Sequence, residues 1–301
     1  MKIGFRFKKV DGRKFLLEGR DVTVARSRFL REMKRRKESG QKFVYLDETW
    51  VNQNYTVQKC WTDLSSQQAT GVKPPTGKGS RLIILHAGTE DGFVNAELVF
   101  QARNDGDYHE QMNAEVFEKW FRNQLLPNIP PNCAIVMDNA SYHSMQQEKY
   151  PTSSWKKENI KHWLIENGEQ PSDDLLKIEL YELAKRRINN MGKKYKIDEI
   201  AAEAGHKIVR IPPYHCQYNP IELIWAQVKS YIAKKNTFKL ADLKILVQEA
   251  VNNVTAENWK NAAEHVGKIQ EEDARQDAAV DKLVDSFVIN IADSSDDEFS
   301  E

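Results

Sequence analysis

Five consecutive apolar residues, Cys133-Ala134-Ile135-Val136-Met137, stand between Pro130-Pro131 and Asp138-Asn139. A run this short and unbroken, fenced by turn residues, is the pattern of a β-strand buried on both faces. A strand of that kind needs cover on each side, which points to a mixed α/β sheet rather than a half-wet antiparallel one. It also ends in a carboxylate.

The rest of the chain fits around that strand. Residues 42–47 form a short β run that likewise ends in an acid, Asp47, and residues 50–61 continue as a second β-rich segment, which predicts a hairpin. Residues 62–80 collect Ser, Gln, Gly and Pro74-Pro75, an exposed loop. Residues 81–86 and 93–100 are two further strands across a Thr89-Glu90-Asp91-Gly92 turn. Val116, Trp120, Phe121 and Leu125 recur at helical spacing in residues 115–126. After a polar, mostly helical stretch (residues 144–205), residues 207–211 form a strand that stops at Pro212-Pro213. Asn219-Pro220 then opens a helix whose Ile221, Ile224, Trp225, Val228 and Ile232 share one face. Helices over residues 240–254 and 256–288 follow. Residues 293–301 are too polar to build a core.

Charge is balanced at 44 basic and 44 acidic residues but unevenly placed. The first forty residues carry 14 Lys/Arg against 5 Asp/Glu, and residues 271–301 carry 2 against 11. A basic amino end suits a nucleic-acid-facing arm, or an ordinary solvated end. Residues 5–17 read as a hairpin at Asp11-Gly12, followed by a basic helix over residues 22–37. Its last turn, Lys34-Arg35-Arg36-Lys37, has the composition of a nuclear import signal and equally of cations at a helix C-terminus. No run approaches the roughly 18 apolar residues of a membrane span, and no secretion signal opens the chain. Three cysteines without a Cys-x-x-Cys pair argue against a disulfide framework or a cysteine zinc site. His206, His215 and Cys216 match no common zinc spacing, and the absence of a Gly-x-x-x-x-Gly-Lys loop argues against an ATPase. These features place the protein inside the cell, with reduced thiols.

Three acids occupy element ends: Asp47, Asp138 and Glu222. Carboxylates converging at the ends of buried strands repel one another and lose hydration, and divalent cations are the usual compensation. Two magnesium ions roughly 3.5–4 Å apart on such a cluster serve phosphodiester chemistry. Each acid also has a plainer explanation, since Asp ends strands in turns and Glu222 fits the third position of a helix capped by Asn219.

The residues around them are more specific. Tyr45-Leu46-Asp47-Glu48-Thr49, Met137-Asp138-Asn139-Ala140-Ser141-Tyr142-His143, and Pro212-Pro213-Tyr214-His215-Cys216-Gln217-Tyr218-Asn219-Pro220-Ile221-Glu222-Leu223-Ile224-Trp225 resemble, in order, the three catalytic blocks of mariner-like DDE transposases. The resemblance spans residues 40–240. It implies a ribonuclease-H-like mixed sheet flanked by helices, which cuts DNA at transposon ends and joins the freed 3′ ends to a target with Mg²⁺ or Mn²⁺. It makes Asp47, Asp138 and Glu222 the catalytic metal ligands. Asn139 and His143 would orient water or a phosphate, and Lys229, on the Glu222 helix, would meet DNA. The loop at residues 62–80 would clamp a second copy in a homodimer, and the site of action would be the nucleus.

Two departures from the family pattern stand out. The 84 positions from Asp138 to Glu222 exceed the family's usual interval, so residues 144–205 look like a helical insertion. Trp155, Ile160, Trp163 and Leu164, then Gly168, then Leu176, Leu180 and Leu183 are similar to a SAP-type DNA-binding hairpin. Residues 185–196 follow with Lys185, Arg186, Arg187, Lys193, Lys194 and Lys196 and no acid, a patch suited to phosphates; a helical cap on the site's rim is the alternative. Second, only about 40 residues precede the first block, where the family carries paired helix-turn-helix modules. The expected organisation is therefore a basic arm (1–40), a catalytic domain (41–240) with the insertion, C-terminal helices (241–292) and an acidic tail (293–301). The expected protein is a truncated or host-recruited transposase that cuts and joins DNA. The competing expectation is a DNA-binding or scaffolding protein that keeps the fold without the chemistry.

Overall fold

The computed structural model describes residues 20–57, 75–102 and 112–286. The hairpin at residues 5–17, most of the 62–80 loop, and the acidic tail lie outside the described residues.

Along the chain run α1 (Arg20–Glu38), β1 (Phe43–Asn52), β2 (Arg81–Thr89), β3 (Gly92–Phe93) and β4 (Leu98–Gln101). Then come α2 (Ala114–Trp120), which widens into a π turn at Phe121–Leu125, and β5 (Ala134–Met137). The helices α3 (Lys157–Glu166), α4 (Lys177–Met191) and α5 (Lys196–Glu203) precede β6 (Lys207–Arg210). Finally come α6 (Ile221–Lys235), α7 (Leu240–Asn252) and α8 (Ala256–Ser286). The sheet order is β3-β2-β1-β5-β6, with β4 also paired to β2. β1 and β2 are antiparallel, whereas β1, β5 and β6 run parallel. This is the ribonuclease-H-like mixed sheet that the sequence implies.

Period-two alternation sorts the strand residues onto two faces. Tyr45, Ile84, Val136 and Val209 pack with α1, α6, α7 and α8 on one face. Leu46, Leu85, Ile135 and Ile208 pack with α2 and α5 on the other. All of Ala134–Met137 is buried, which is why that run carries no polar residue.

Three expectations change. β1 is one continuous strand through Asn52, so there is no hairpin within residues 42–57, and Asp47 lies mid-strand. Its antiparallel partner β2 arrives only at Arg81, beyond the loop. The basic helix α1 is not a free arm, because Phe29, Leu30 and Met33 are buried in the core. Its Arg36 is ion-paired with Glu32, and its Arg26 with Asp277 of α8. The separate insertion is narrower than residues 144–205, because α5 buries Ile197, Ile200 and Ala201 in the main core. What remains is the α3–α4 hairpin with its own small core of Ile160, Trp163, Leu164, Leu180, Ala184 and Ile188. Its neck closes at Gln146 and Tyr195, so the excursion leaves and re-enters the fold at one point. Among the described residues, no helix is long and apolar enough to cross a membrane.

Candidate acid-cluster active site

Strand register brings the first two acids together. β1 pairs with β5 at Phe43↔Ala134, Val44↔Ile135 and Tyr45↔Val136. The same offset carried two residues further sets Asp47 against Asp138, just where β5 stops. Because side chains alternate, Asp47 shares the face of Tyr45, which α6 covers, and accepts a bond from Trp225 of that helix.

Glu222 arrives by a turn rather than a strand. β6 ends at Arg210, Pro212-Pro213 blocks further pairing, and Tyr214 takes a positive φ of 67° with its side chain in solvent. The chain then enters α6, whose Ile221, Ile224, Trp225, Val228 and Ile232 pack on the sheet. Glu222, in the first turn, stands at the sheet's edge beside a cleft of about 540 Å³ lined also by Tyr55, Trp225 and Lys229.

Two asparagine amides continue the hydrogen bonding where the ladders stop. Asn219 Nδ2 donates to the carbonyl of Leu46, beside Asp47, at 3.0 Å. Asn139 Nδ2 donates to the carbonyl of Ile211, at the end of β6, at 2.7 Å. The first joins the Glu222 turn to the Asp47 strand; the second joins the Asp138 loop to the strand leading to Glu222. Asn139 is thus anchored to backbone. The turn is braced from behind as well: Tyr218 donates its hydroxyl to Asp273 of α8 at 2.6 Å and stacks on Phe29 of α1 and on His215.

The electrostatics are those of crowded acids. Burial, then the charges of Glu48, Glu222 and Asp138, push the Asp47 carboxyl well above the ordinary carboxylate range. Burial also raises Glu222, with Lys229 opposing it and Asp138 adding to it. Burial would raise Asp138 too, but the hydrogen bond and charge of His143 and the Ala140 N–H more than reverse it, and its carboxyl is lowered. Lys229 is lowered by burial, against the attraction of Glu222 and Asp47. Its ammonium feels the attraction of both acids and also lies 5.4 Å from the Trp50 ring centre.

A divalent cation fits this set in chemistry and charge. The donors are hard carboxylate oxygens, and burial raises two of the carboxyls, with Asp138 adding to the rise in each, so a cation among them would be favoured. The cage is not closed, however. Asp47 Oδ2 accepts the Trp225 indole N–H at 3.1 Å, and no three acids, histidines or cysteines among the described residues stand ready to hold one ion.

The other predicted contact residues fall elsewhere. His143 is 1% exposed, with both ring nitrogens engaged inside the protein, so direct contact with a phosphate is not open to it. Lys185, Arg186 and Arg187 are on α4 of the hairpin, with Lys193 and Lys194 just beyond its end. Lys185 pairs with Glu182 and Arg187 with Glu169. Sequence reasoning missed Glu48. Its signal was available in the alternation, since the residue after Asp47 must point to the opposite face.

The family described as DDE superfamily endonuclease matches residues 42–244, about two thirds of the chain. The protein belongs to that family. No curated protein sequence matches it. Among solved structures it is similar to the Mos1 Strand Transfer Complex, with a TM-score of 0.54 at 12% identity over 90% of this chain and 66% of that one. The Mos1 mariner paired end complex with Mn gives 0.52 at 12% identity over 90% and 67%, and the complex with Mg gives 0.54 over the same shares. The likeness to mariner-like DDE transposases read from the three sequence blocks is borne out, and with it the ribonuclease-H-like fold. The described helices α3 and α4 account for the long second interval.

Proposed function

We propose that this member of the DDE endonuclease family is a metal-dependent DNA nuclease and strand transferase, with Asp47, Asp138 and Glu222 as its catalytic acids. The observation that supports this reading is the register: an offset of 91 residues pairs Phe43 with Ala134 and Tyr45 with Val136, and Asp47, two residues further on, feels the charge of Asp138. Asn219 then ties the Glu222 turn to the same strand. Three acids far apart in sequence come within reach of one another's charge despite the repulsion, a clustering typical of functional sites.

Mg²⁺ or Mn²⁺, bound by these acids, would supply an activated water or 3′-hydroxyl and stabilise the leaving oxygen of an in-line displacement. The chain's own residues do the rest. The sheet fixes Asp47 and Asp138 side by side, α6 presents Glu222, and Lys229 limits repulsion before DNA arrives. The hairpin's Lys185, Arg186, Lys193 and Lys194 would neutralise phosphates without reading sequence. The remaining elements of the proposal are action in the nucleus and pairing of two copies through the 62–80 loop.

The test is nicking of supercoiled plasmid with Mn²⁺ or Mg²⁺. The wild-type protein nicks, Asp138→Asn abolishes nicking, and chelator does the same. Nicking that survives Asp138→Asn would refute the assignment. A second reading, a DNA-binding protein without chemistry, is favoured by the Trp225 bond to Asp47 and the open cage. Its signature is no cleavage, with gel-shift binding indifferent to Asp138→Asn and to chelator.

A further inference from the structure

Glu48 follows Asp47 and therefore points through the sheet to the opposite face, where its side chain is 2% exposed. A buried carboxylate needs a partner, and its partner is His143, whose Nε2–H donates to Glu48 Oε1 at 3.0 Å. The other ring nitrogen of His143 donates to Asp138 Oδ1 at 2.6 Å. Both ring nitrogens are thus engaged, one on each carboxyl group. It packs against Phe117 and Tyr142, at 4.2 and 4.5 Å between ring centres, which restricts its movement. Arg210 secures the same loop, donating to the His143 carbonyl at 3.0 Å and the Ser144 hydroxyl at 3.1 Å.

The consequence falls on Asp138. Its Oδ1 already takes the Ala140 N–H at 2.9 Å as well as the imidazole. Both protein bonds go to one oxygen, while the side chain is 51% exposed, so the second oxygen is free to turn outward. A half-exposed aspartate at a strand end would otherwise sample several rotamers.

We propose that Glu48 and His143 form a positioning pair that holds Asp138 with one oxygen satisfied by the protein and the other presented, singly, to a divalent cation. Glu48 acts through His143 and touches neither ion nor DNA. The pair reaches from β1 to the loop after β5, so it also fixes the first two acid-bearing segments relative to each other from behind the sheet. This inference rests on Asp138 being a metal ligand, and the experiment separates the two claims.

The readout is Mn²⁺ binding to the DNA-free protein, followed by electron paramagnetic resonance, with urea unfolding of each variant and plasmid nicking in parallel. Replacing a whole buried ion pair by apolar side chains is often tolerated, so Glu48→Leu/His143→Leu is the informative variant and is expected to stay folded. Glu48→Gln, which keeps an acceptor for Nε2–H, serves as the conservative control. Partners that orient metal ligands are typically worth about 10–100-fold in affinity. The expected result is that the double variant weakens Mn²⁺ binding by about 10–100-fold, while Glu48→Gln loses less than about tenfold. Mn²⁺ binding within about twofold of wild type in the folded double variant would overturn the pair's role. If the double variant unfolds, the His143→Asn single variant decides by the same criterion, with Glu48→Gln still the conservative control. Asp138→Asn is the reference: if it leaves Mn²⁺ binding unchanged, the reading of the acid cluster itself fails, whatever the pair does.

Discussion

Gly88 is where α8 is locked to the sheet, and replacing it by alanine tests how far that lock reaches. A Cβ at this position would lie 2.2, 2.5 and 2.6 Å from Cζ2, Cη2 and Cε2 of Trp259. Non-bonded carbons settle at about 3.5–4.0 Å, so the overlap exceeds about 1 Å at three atoms together. Trp259 is fully buried and meets the Phe93 ring edge-on at 5.1 Å, so it cannot retreat without moving α8. Overpacking typically costs 1–3 kcal/mol, and a rigid ring with no exit places Gly88→Ala near the upper end, about 3 kcal/mol. Trp259→Leu alone costs a similar ~3 kcal/mol through lost burial. The double variant relieves the clash, so its cost falls short of the sum by about 2 kcal/mol. Urea unfolding measures all four proteins. Because α8 also carries Asp273, the acceptor for Tyr218 just before Glu222, Gly88→Ala should lower nicking as well. A loss below about 1 kcal/mol for Gly88→Ala, or strict additivity in the cycle, would show the contact is softer than the geometry says.

Two further outcomes follow from buried polar groups. Asn219→Ala removes the amide that joins the Glu222 turn to Leu46 and leaves a buried carbonyl unpaired, which costs about 1–3 kcal/mol; nicking should fall more steeply than the unfolding midpoint, and a drop in stability with activity intact would count against the amide's role in placing Glu222. His86 is buried, and burial pushes its imidazole down to about 4, while the Ala87 N–H donates to its Nδ1 at 2.9 Å. The unfolded chain therefore takes the proton first, so stability is fully present above about pH 6.5 and is lost as pH falls toward 4. By that linkage His86 removes about 2 kcal/mol between pH 7 and pH 5. Asp47, its cross-strand neighbour, is shifted the opposite way, so the measurement is a difference: urea midpoints of wild type and His86→Asn across that range, with equal slopes against pH speaking against the reasoning.

Much of the site was legible because its parts are local. The apolar run at residues 133–137 announced a fully covered strand, and all four residues of β5 are buried. The three acid-bearing blocks stood out by their resemblance, in order, to the catalytic blocks of mariner-like DDE transposases. What stayed hidden depends on partners distant in sequence. Asp47 lies just past the short ladder with β5 but not at the end of its own strand, because β1 stays paired with β2 up to Asn52. The charge of α1 obscured Phe29, Leu30 and Met33, whose spacing is that of a buried helical face. The antiparallel partner of β1 lies beyond a loop that no local pattern could bridge.

His143 shows the limit most sharply. Five residues after Asp138, an imidazole is equally suited to facing solvent or facing inward, and only the fold decides. The sheet settles it by parity: Asp47 and Asp138 on one face require Glu48 on the other, and a buried Glu48 requires a donor. His143 is that donor. The same alternation that gathers the acids therefore also creates the buried carboxylate behind them, and a single imidazole answers both needs. Two adjacent acids in a strand of this kind have different surroundings, one facing the acid cluster and one facing the imidazole behind it.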